Sequence, residues 1–335
     1  MAFDPDPSDA FALLFVCPAY RATPLRGLDA LAAEHGLASL RAKDETQRMG
    51  LGSFKALGGV YAVANLVRER CGSDDLMNDT ARAAATGLTV CCASAGNHGL
   101  SVAAGANVFG ARAVIYLADT VPEAFAKRLR AKGAKVVRAG AIYEDAMAQA
   151  MCDAVANDWQ LVSDSSWDGY RTIPSTIMRG YCVMAEEMAN DFRGEGDWPT
   201  HVFLQAGVGG LAAAVAAHIR THWDEQPCIA VVEPDRAACL ARSVEAEQPS
   251  RAEGAVSNMG RLDCKEPSLV AFEVLRDAAD AFVTVTDEEA SATVVTLEPY
   301  GIRSTPSGVA GLAAALRTDL PADARALVIV SEGRE

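Results

Sequence analysis

Residues 89–109 read T-V-C-C-A-S-A-G-N-H-G-L-S-V-A-A-G-A-N-V-F. A short β-branched and apolar run enters a small turn, and an Ala-rich segment of helical period leaves it, so the stretch reads as a strand feeding a helix. The same unit recurs downstream. A-V-I-Y-L-A (113–118) precedes P-E-A-F-A-K-R-L-R-A (122–131), and K-V-V-R-A (135–139) precedes Y-E-D-A-M-A-Q-A-M (143–151). The rhythm pauses over residues 164–174 and resumes with H-V-F-L-Q-A (201–206), I-A-V-V-E-P (229–234), F-V-T-V (282–285) and A-L-V-I-V-S (326–331). Alternating strands and helices of this kind predict an α/β fold with parallel-rich sheets covered by helices on both faces. Two polar stretches, 72–79 and 245–267, collect Gly, Pro, Ser, Asn and Asp without an apolar face and read as loops.

A chain of 335 residues exceeds the size at which one core keeps growing, so two lobes are expected. Half the residues are hydrophobic and 22% are charged, a globular composition. The net charge of -14 argues against a nucleic-acid or anionic-membrane surface, which would require a basic patch to displace counterions, and leaves a small molecule as the partner. Nine cysteines without framework spacing read as reduced thiols in a cytoplasmic protein. The N-terminal stretch is acidic where a secretory leader would be basic, and no apolar run is long enough to span a bilayer. His218 and His222 share a helical spacing but have no third ligand nearby, so they read as a solvated pair and no metal site is expected.

Two stretches carry candidate chemistry. At residues 205–211 a strand runs into G-V-G-G-L and then into A-A-A-V-A-A-H-I, a Gly-rich turn that aims backbone N–H groups and a helix dipole at an anion. Gly207, Gly209 and Ala212 also fit a G-x-G-x-x-A dinucleotide fingerprint, with Glu233 near the place of a ribose-binding acid, so a Rossmann-type nucleotide-binding protein is an alternative. The second stretch is R-M-G-L-G-S-F-K-A-L-G-G, residues 48–59. Lys55, one of only six lysines, opens a run of small apolar residues, where burial would disfavour its ammonium form and favour a nucleophilic amine. A lysine whose stem snorkels to the surface is the structural alternative.

Taken in order, S-F-K-A-L-G-G, A-S-A-G-N-H-G (93–99) and G-V-G-G-L resemble the pyridoxal-phosphate enzymes of the tryptophan-synthase-β and threonine-dehydratase type. The contexts Y-R-A-T-P-L, D-S-S-W-D-G-Y, I-M-R-G-Y, L-Q-A-G-V-G and V-V-E-P look most like the diaminopropionate ammonia-lyases within that group. The resemblance implies a two-lobed, three-layer αβα architecture and pyridoxal 5'-phosphate as cofactor. It makes Lys55 the Schiff-base lysine and places the cofactor phosphate on Gly207, Val208, Gly209, Gly210 and Leu211. Asn97 would bond the ring hydroxyl oxygen and Ser331 the pyridine nitrogen. Ser94, Ala95, Gly96 and His98 would form the turn that binds the substrate carboxylate, although S-A-G-N-H is also an ordinary helix cap. Asp164 matches an acid near the active site that binds a β-amino group or transfers protons; capping the following turn is the alternative.

The implied reaction is α,β-elimination on a small β-substituted amino acid, giving a 2-keto acid and ammonia. One residue departs from the ammonia-lyase pattern: Ala95 stands where those enzymes carry an aspartate, and S-A-G-N-H is the spelling of hydroxy-amino-acid dehydratases. A dehydratase acting on phenylserine, threonine, serine or hydroxyaspartate is therefore the close alternative. The expected division is residues 1–60 with 157–335 as the larger, cofactor-binding domain and 61–156 as a small mobile one. A homodimer is expected from the family alone.

Overall fold

The computed structural model describes residues 3–334. From the N-terminus run α1 (Ser8–Phe15), β1 (Leu25–Gly27), α2 (Asp29–Glu34), β2 (Ser39–Asp44), α3 (Lys55–Cys71) and α4 (Asp79–Thr86). A compact alternating stretch follows: β3 (Thr89–Ala93), α5 (Asn97–Phe109), β4 (Arg112–Leu117), α6 (Glu123–Ala131), β5 (Lys135–Arg138), α7 (Tyr143–Asn157) and β6 (Gln160–Leu161). The long α8 (Thr172–Glu195) leads to β7 (His201–Gln205), α9 (Gly210–His222), β8 (Cys228–Pro234) and α10 (Cys239–Glu245). The chain closes with α11 (Leu269–Ala278), β9 (Ala281–Val285), α12 (Asp287–Thr296), α13 (Pro306–Arg317) and β10 (Arg325–Val330).

The strands form two sheets. One has four strands in the order β5-β4-β3-β6, all parallel. The other has six in the order β1-β2-β10-β7-β8-β9, parallel except for the antiparallel β1–β2 pair. Helices cover both faces of each sheet, as near-continuous apolar strands require: β3 is buried at every position and β10 at all but its first residue. The α/β reading of the sequence therefore holds, and residues 72–78 form a loop as expected; α4 follows and takes in the last residue of that stretch, Asp79. Asn78 caps it by accepting a hydrogen bond from the Ala81 N–H at 2.8 Å.

The core joins the two sheets through α3, which packs between α5 and α8. Gly58 makes this crossing possible, since a Cβ there would lie 2.4 Å from Tyr181 Cε1 on α8. Just before α3 the chain makes three left-handed residues within four positions, Met49 (φ 50°), Gly50 (φ 65°) and Gly52 (φ 78°). This turn is held by Arg48, whose fully buried guanidinium reaches Glu45, Glu187, Thr23 Oγ1 and the Arg21 carbonyl at 2.7–3.0 Å. Lys43, also buried, pairs with Glu187 at 2.7 Å.

Two polar residues lie elsewhere than expected. His218 is buried rather than solvated: its ring stacks on His222 at 4.6 Å and its Nε2 is 3.0 Å from Glu186, because that face of α9 packs against α8. Glu233 is buried too, and its carboxylate accepts the N–H groups of Leu240 and Ala241 at 2.8 Å, capping α10.

Replacing Arg48 by Ala strands two buried carboxylates and should lower unfolding free energy by about 3–5 kcal/mol in denaturant titrations. Burial pushes the Glu233 carboxyl up to about 7 against backbone N–H bonds that oppose it. Since the folded pKa exceeds the unfolded one, stability from this group is full below about pH 4.5 and falls as pH rises toward 7, by about 3 kcal/mol at most. The melting-temperature difference between the parent protein and Glu233→Gln should therefore shrink as pH rises from 5 to 8, and a constant difference would contradict it.

Candidate active site

Four parallel strands deliver residues to one place. Just past the carboxyl ends of β3, β6, β7 and β10 lie, respectively, residues 94–98, Asp164, residues 207–211 and Ser331. Crevices at such strand ends are where open parallel sheets bind ligands. Lys55 enters from the side as the first residue of α3. Its approach is fixed by backbone bonds from Phe54 N–H to the Ser331 carbonyl (3.1 Å) and from Gly333 N–H to the Gly52 carbonyl (2.9 Å), which bolt the turn to the end of β10.

Lys55 Nζ lies 2.5 Å from Asp164 Oδ2, with Phe54 and Tyr181 rings on its flanks. The apolar setting inferred from sequence is present but does not decide the charge. Burial alone would lower the Lys55 pKa, yet the Asp164 carboxylate outweighs it and holds the amine well above the ordinary lysine range. Burial would likewise raise Asp164, but His98 and Lys55 keep its carboxyl far below the usual range. The resting pair is thus ammonium and carboxylate.

His98 is buried, and its Nε2 donates to the Val162 carbonyl at 2.8 Å. That bond puts a proton on Nε2 and leaves Nδ1 without a hydrogen-bond partner, 4.0 Å from Asp164 Oδ2. Burial lowers the His98 pKa. In the turn before it, Ser94 Oγ accepts the N–H groups of Gly96 (3.2 Å) and Gly99 (3.0 Å). The helix-cap alternative is therefore realised, and anion binding by this turn is left to the N–H groups of Ala95, Asn97 and His98.

Asn97 Nδ2 donates to Glu332 Oε2 at 2.5 Å. Glu332 is 4% exposed and also receives Thr305 Oγ1 (2.5 Å) and Arg261 Nε (3.2 Å). Sequence reasoning stopped at Ser331 and missed this carboxylate; an acid directly past a parallel strand was the available signal. Arg261 was missed as well, in a loop without periodicity, and its Cδ lies 3.4 Å from where a Gly96 Cβ would be.

At the end of β7, Gly209 has φ +102°, and a Cβ there would meet Ala271 at 2.9 Å. A Cβ on Gly207 would meet Cys264 Sγ at 3.0 Å. Only glycines let the backbone fold this tightly at the start of α9, where the N–H groups of the first turn are of the kind that binds anions. Glu233, capping α10, is committed elsewhere, which removes the acid that a dinucleotide site would use. Among the described residues no cluster of side chains suits a metal ion, and no helix is long and apolar enough to cross a membrane.

The sequence matches the family described as pyridoxal-phosphate dependent enzyme over residues 16–332. It is 35% identical to diaminopropionate ammonia-lyase of Escherichia coli (strain K12) over 303 residues, covering 88% of this chain and 76% of that one. A probable D-serine dehydratase of Acidovorax sp. (strain JS42) is 28% identical over 286 residues, covering 78% of this chain and 62% of the relative. The crystal structure of the Escherichia coli ammonia-lyase in complex with an aminoacrylate-PLP azomethine reaction intermediate superposes with a TM-score of 0.86 at 33% identity, covering 98% of this chain and 88% of that one.

If Asp164 sustains the Lys55 ammonium, Asp164→Asn leaves burial unopposed and should drop the Lys55 pKa by about 1–3 units. Measuring the pH dependence of Lys55 labelling by a small amine reagent, without cofactor, would show the midpoint move down; an unmoved midpoint would refute the pairing.

Proposed function

The chain belongs to the pyridoxal-phosphate-dependent enzyme family, and from that premise we propose that it is a deaminating lyase catalysing α,β-elimination on a small β-substituted amino acid, with L-2,3-diaminopropionate as the leading substrate. The observation that carries the reading is the Lys55–Asp164 pair at 2.5 Å beside the glycine cradle.

Pyridoxal phosphate is the cofactor, and the residues present fit it. The cradle of Gly207, Val208, Gly209, Gly210 and Leu211 suits its phosphate. Glu332 takes one of the two amide hydrogens of Asn97, which leaves the second for the ring hydroxyl oxygen. Ser331 is 4% exposed at the end of β10, and its hydroxyl, the proposed partner of the pyridine nitrogen, brings no formal charge to that atom. When bound, the cofactor supplies an electron-poor ring that takes up the electron pair released from the substrate Cα–H bond.

The rest falls to the chain. Lys55 Nζ would hold the cofactor through its aldehyde until the substrate amine displaces it, and the freed amine would then take the proton from Cα. The N–H groups of Ala95, Asn97 and His98, at the positive end of α5, bind the substrate carboxylate. Asp164 orients Lys55 and exchanges a proton at the β-substituent as it departs. His98 Nδ1 faces the same Asp164 oxygen that Lys55 holds, at 4.0 Å, and helps fix its setting.

The second reading, a β-hydroxy-amino-acid dehydratase, is favoured by Ala95, whose methyl neither accepts nor donates a proton, and by the dehydratase relative. Three further parts of the reading are proposals of the same standing. Residues 1–60 with 157–335 form the cofactor-binding lobe and 61–156 the mobile one, supported by the separate four-stranded sheet, three of whose strands lie within 61–156 while β6 lies just beyond the boundary. The enzyme is a homodimer, supported by Phe15 and Val16 on the N-terminal surface, which are 76% and 64% exposed. It is cytoplasmic, supported by nine free cysteines.

Purified enzyme given pyridoxal phosphate should show the visible absorbance of a lysine-bound aldehyde, abolished by Lys55→Ala. L-2,3-diaminopropionate should yield pyruvate with two ammonia per turnover. A one-to-one ratio from L-serine, L-threonine, phenylserine or hydroxyaspartate, with diaminopropionate poor, would make it a dehydratase. No keto acid from any of these would overturn elimination.

A further inference from the structure

Tyr181 of α8 has no part in the steps above, yet it stands where the elements of the site meet. Its ring is 1% exposed and lies edge-on to Phe54 with centroids 4.8 Å apart; Lys55 Nζ is 5.6 Å from its centre. One ring edge fills the space against Gly58 in the first turn of α3. On the other, Cε2 is 3.8 Å from the position a Cβ of Gly210 would take, and Gly210 is the residue that opens α9.

The hydroxyl of this tyrosine is buried and makes no hydrogen bond to any described group. An orphaned buried hydroxyl carries a penalty, and native interiors rarely keep one without a ligand or water to satisfy it. Lys55 does not fill the role. The two groups are near enough to act on each other as weak hydrogen-bond partners, but Lys55 Nζ is bonded to Asp164 at 2.5 Å and the phenol makes no full hydrogen bond to it.

We propose that the Tyr181 hydroxyl is a ligand of the cofactor phosphate, completing from α8 the cradle formed by residues 207–211. The covalent structure of the cofactor argues for this. Its aldehyde and its phosphate arm sit on adjacent ring carbons, so a group set between Lys55 and Gly210 faces phosphate oxygens. Burial holds the phenol well above its ordinary pKa, so it stays a protonated donor to a dianionic acceptor. The inference rests on residues 207–211 being the phosphate site.

The test is titration of the cofactor-free Tyr181→Phe protein with pyridoxal phosphate and, separately, with pyridoxal, which keeps the ring and aldehyde but lacks the phosphate. Affinity for pyridoxal phosphate should fall about tenfold or more, the weight of one hydrogen bond to a charged group, while pyridoxal affinity stays within about twofold. Equal losses for both ligands, or no loss for pyridoxal phosphate, would overturn the proposal. The variant removes only an unpaired hydroxyl, so its cofactor-free melting temperature should not fall; a drop would show that the protein itself already satisfied the group and would also overturn it. The parent protein separates the underlying assignment: if it binds pyridoxal as tightly as pyridoxal phosphate, the phosphate cradle fails; if it favours pyridoxal phosphate and Tyr181→Phe does so equally, only the tyrosine is wrong.

Discussion

Everything the Lys55 amine does depends on a guanidinium that it never touches. Arg48 is buried with all of its N–H groups engaged by Glu45, Glu187, Thr23 and a backbone carbonyl. A buried charge of this kind adds little net stability over a well-packed apolar core, but it tolerates only one arrangement of its partners. Here that arrangement ties the strand end at Glu45 to α8 at Glu187 and forces the chain through left-handed residues before α3 begins. Lys55 emerges at the exit of this turn, with Phe54 and Gly333 fastening it to β10. The polar network therefore serves as a register device: it decides where a helix starts, and so where one nitrogen sits.

The second constraint is topological. Parallel strands end on the same side of their sheet, so every loop following a strand opens into one crevice. Two sheets facing each other across α3 supply four such loops, and two charge pairs span them. Lys55 meets Asp164 from β6, while Asn97 from β3 and Arg261 meet Glu332 from β10. Asp164 and Asn97 reach across from the four-stranded sheet, to Lys55 on α3 and to Glu332 past β10, whereas Arg261, between β8 and β9, meets Glu332 from the six-stranded side. The chemistry and the closure of the site thus share the same bonds.

The strand and helix pattern was legible because parallel sheets require continuous apolar runs, and the residues around Lys55, Asn97 and Gly207 carry order-specific motifs. The rest lay in contacts between distant segments. Nothing in the local sequence of Lys55 announces Asp164, 109 positions away, so an apolar neighbourhood suggested a depressed amine pKa where an ion pair raises it. Glu187, Glu45 and Lys43 read as ordinary charged residues, and only their convergence on Arg48 buries them. Glu233 fitted a ribose-binding spacing, but the turn that follows β8 brings two N–H groups onto its carboxylate. His218 looked solvated from its spacing, although α8 covers it.

The same electrostatics explain why Ala95 alone does not fix the leaving group. Asp164 is held ionised by the charges facing it, against the pull of burial. A substrate with a β-ammonium group brings its own positive charge to that carboxylate and can take the place that Lys55 holds at rest, and its leaving group already carries the proton it needs. A β-hydroxyl brings no charge. Once Lys55 is engaged elsewhere, burial would then raise the Asp164 pKa, and the resulting acid is what a departing hydroxide requires. On the proposed mechanism one carboxylate would therefore suit either substrate class, in two protonation states. Discrimination moves outward, to the exposed turn at Ala95 and to the neighbouring Arg261, which lies over Gly96 with its charge paired to Glu332.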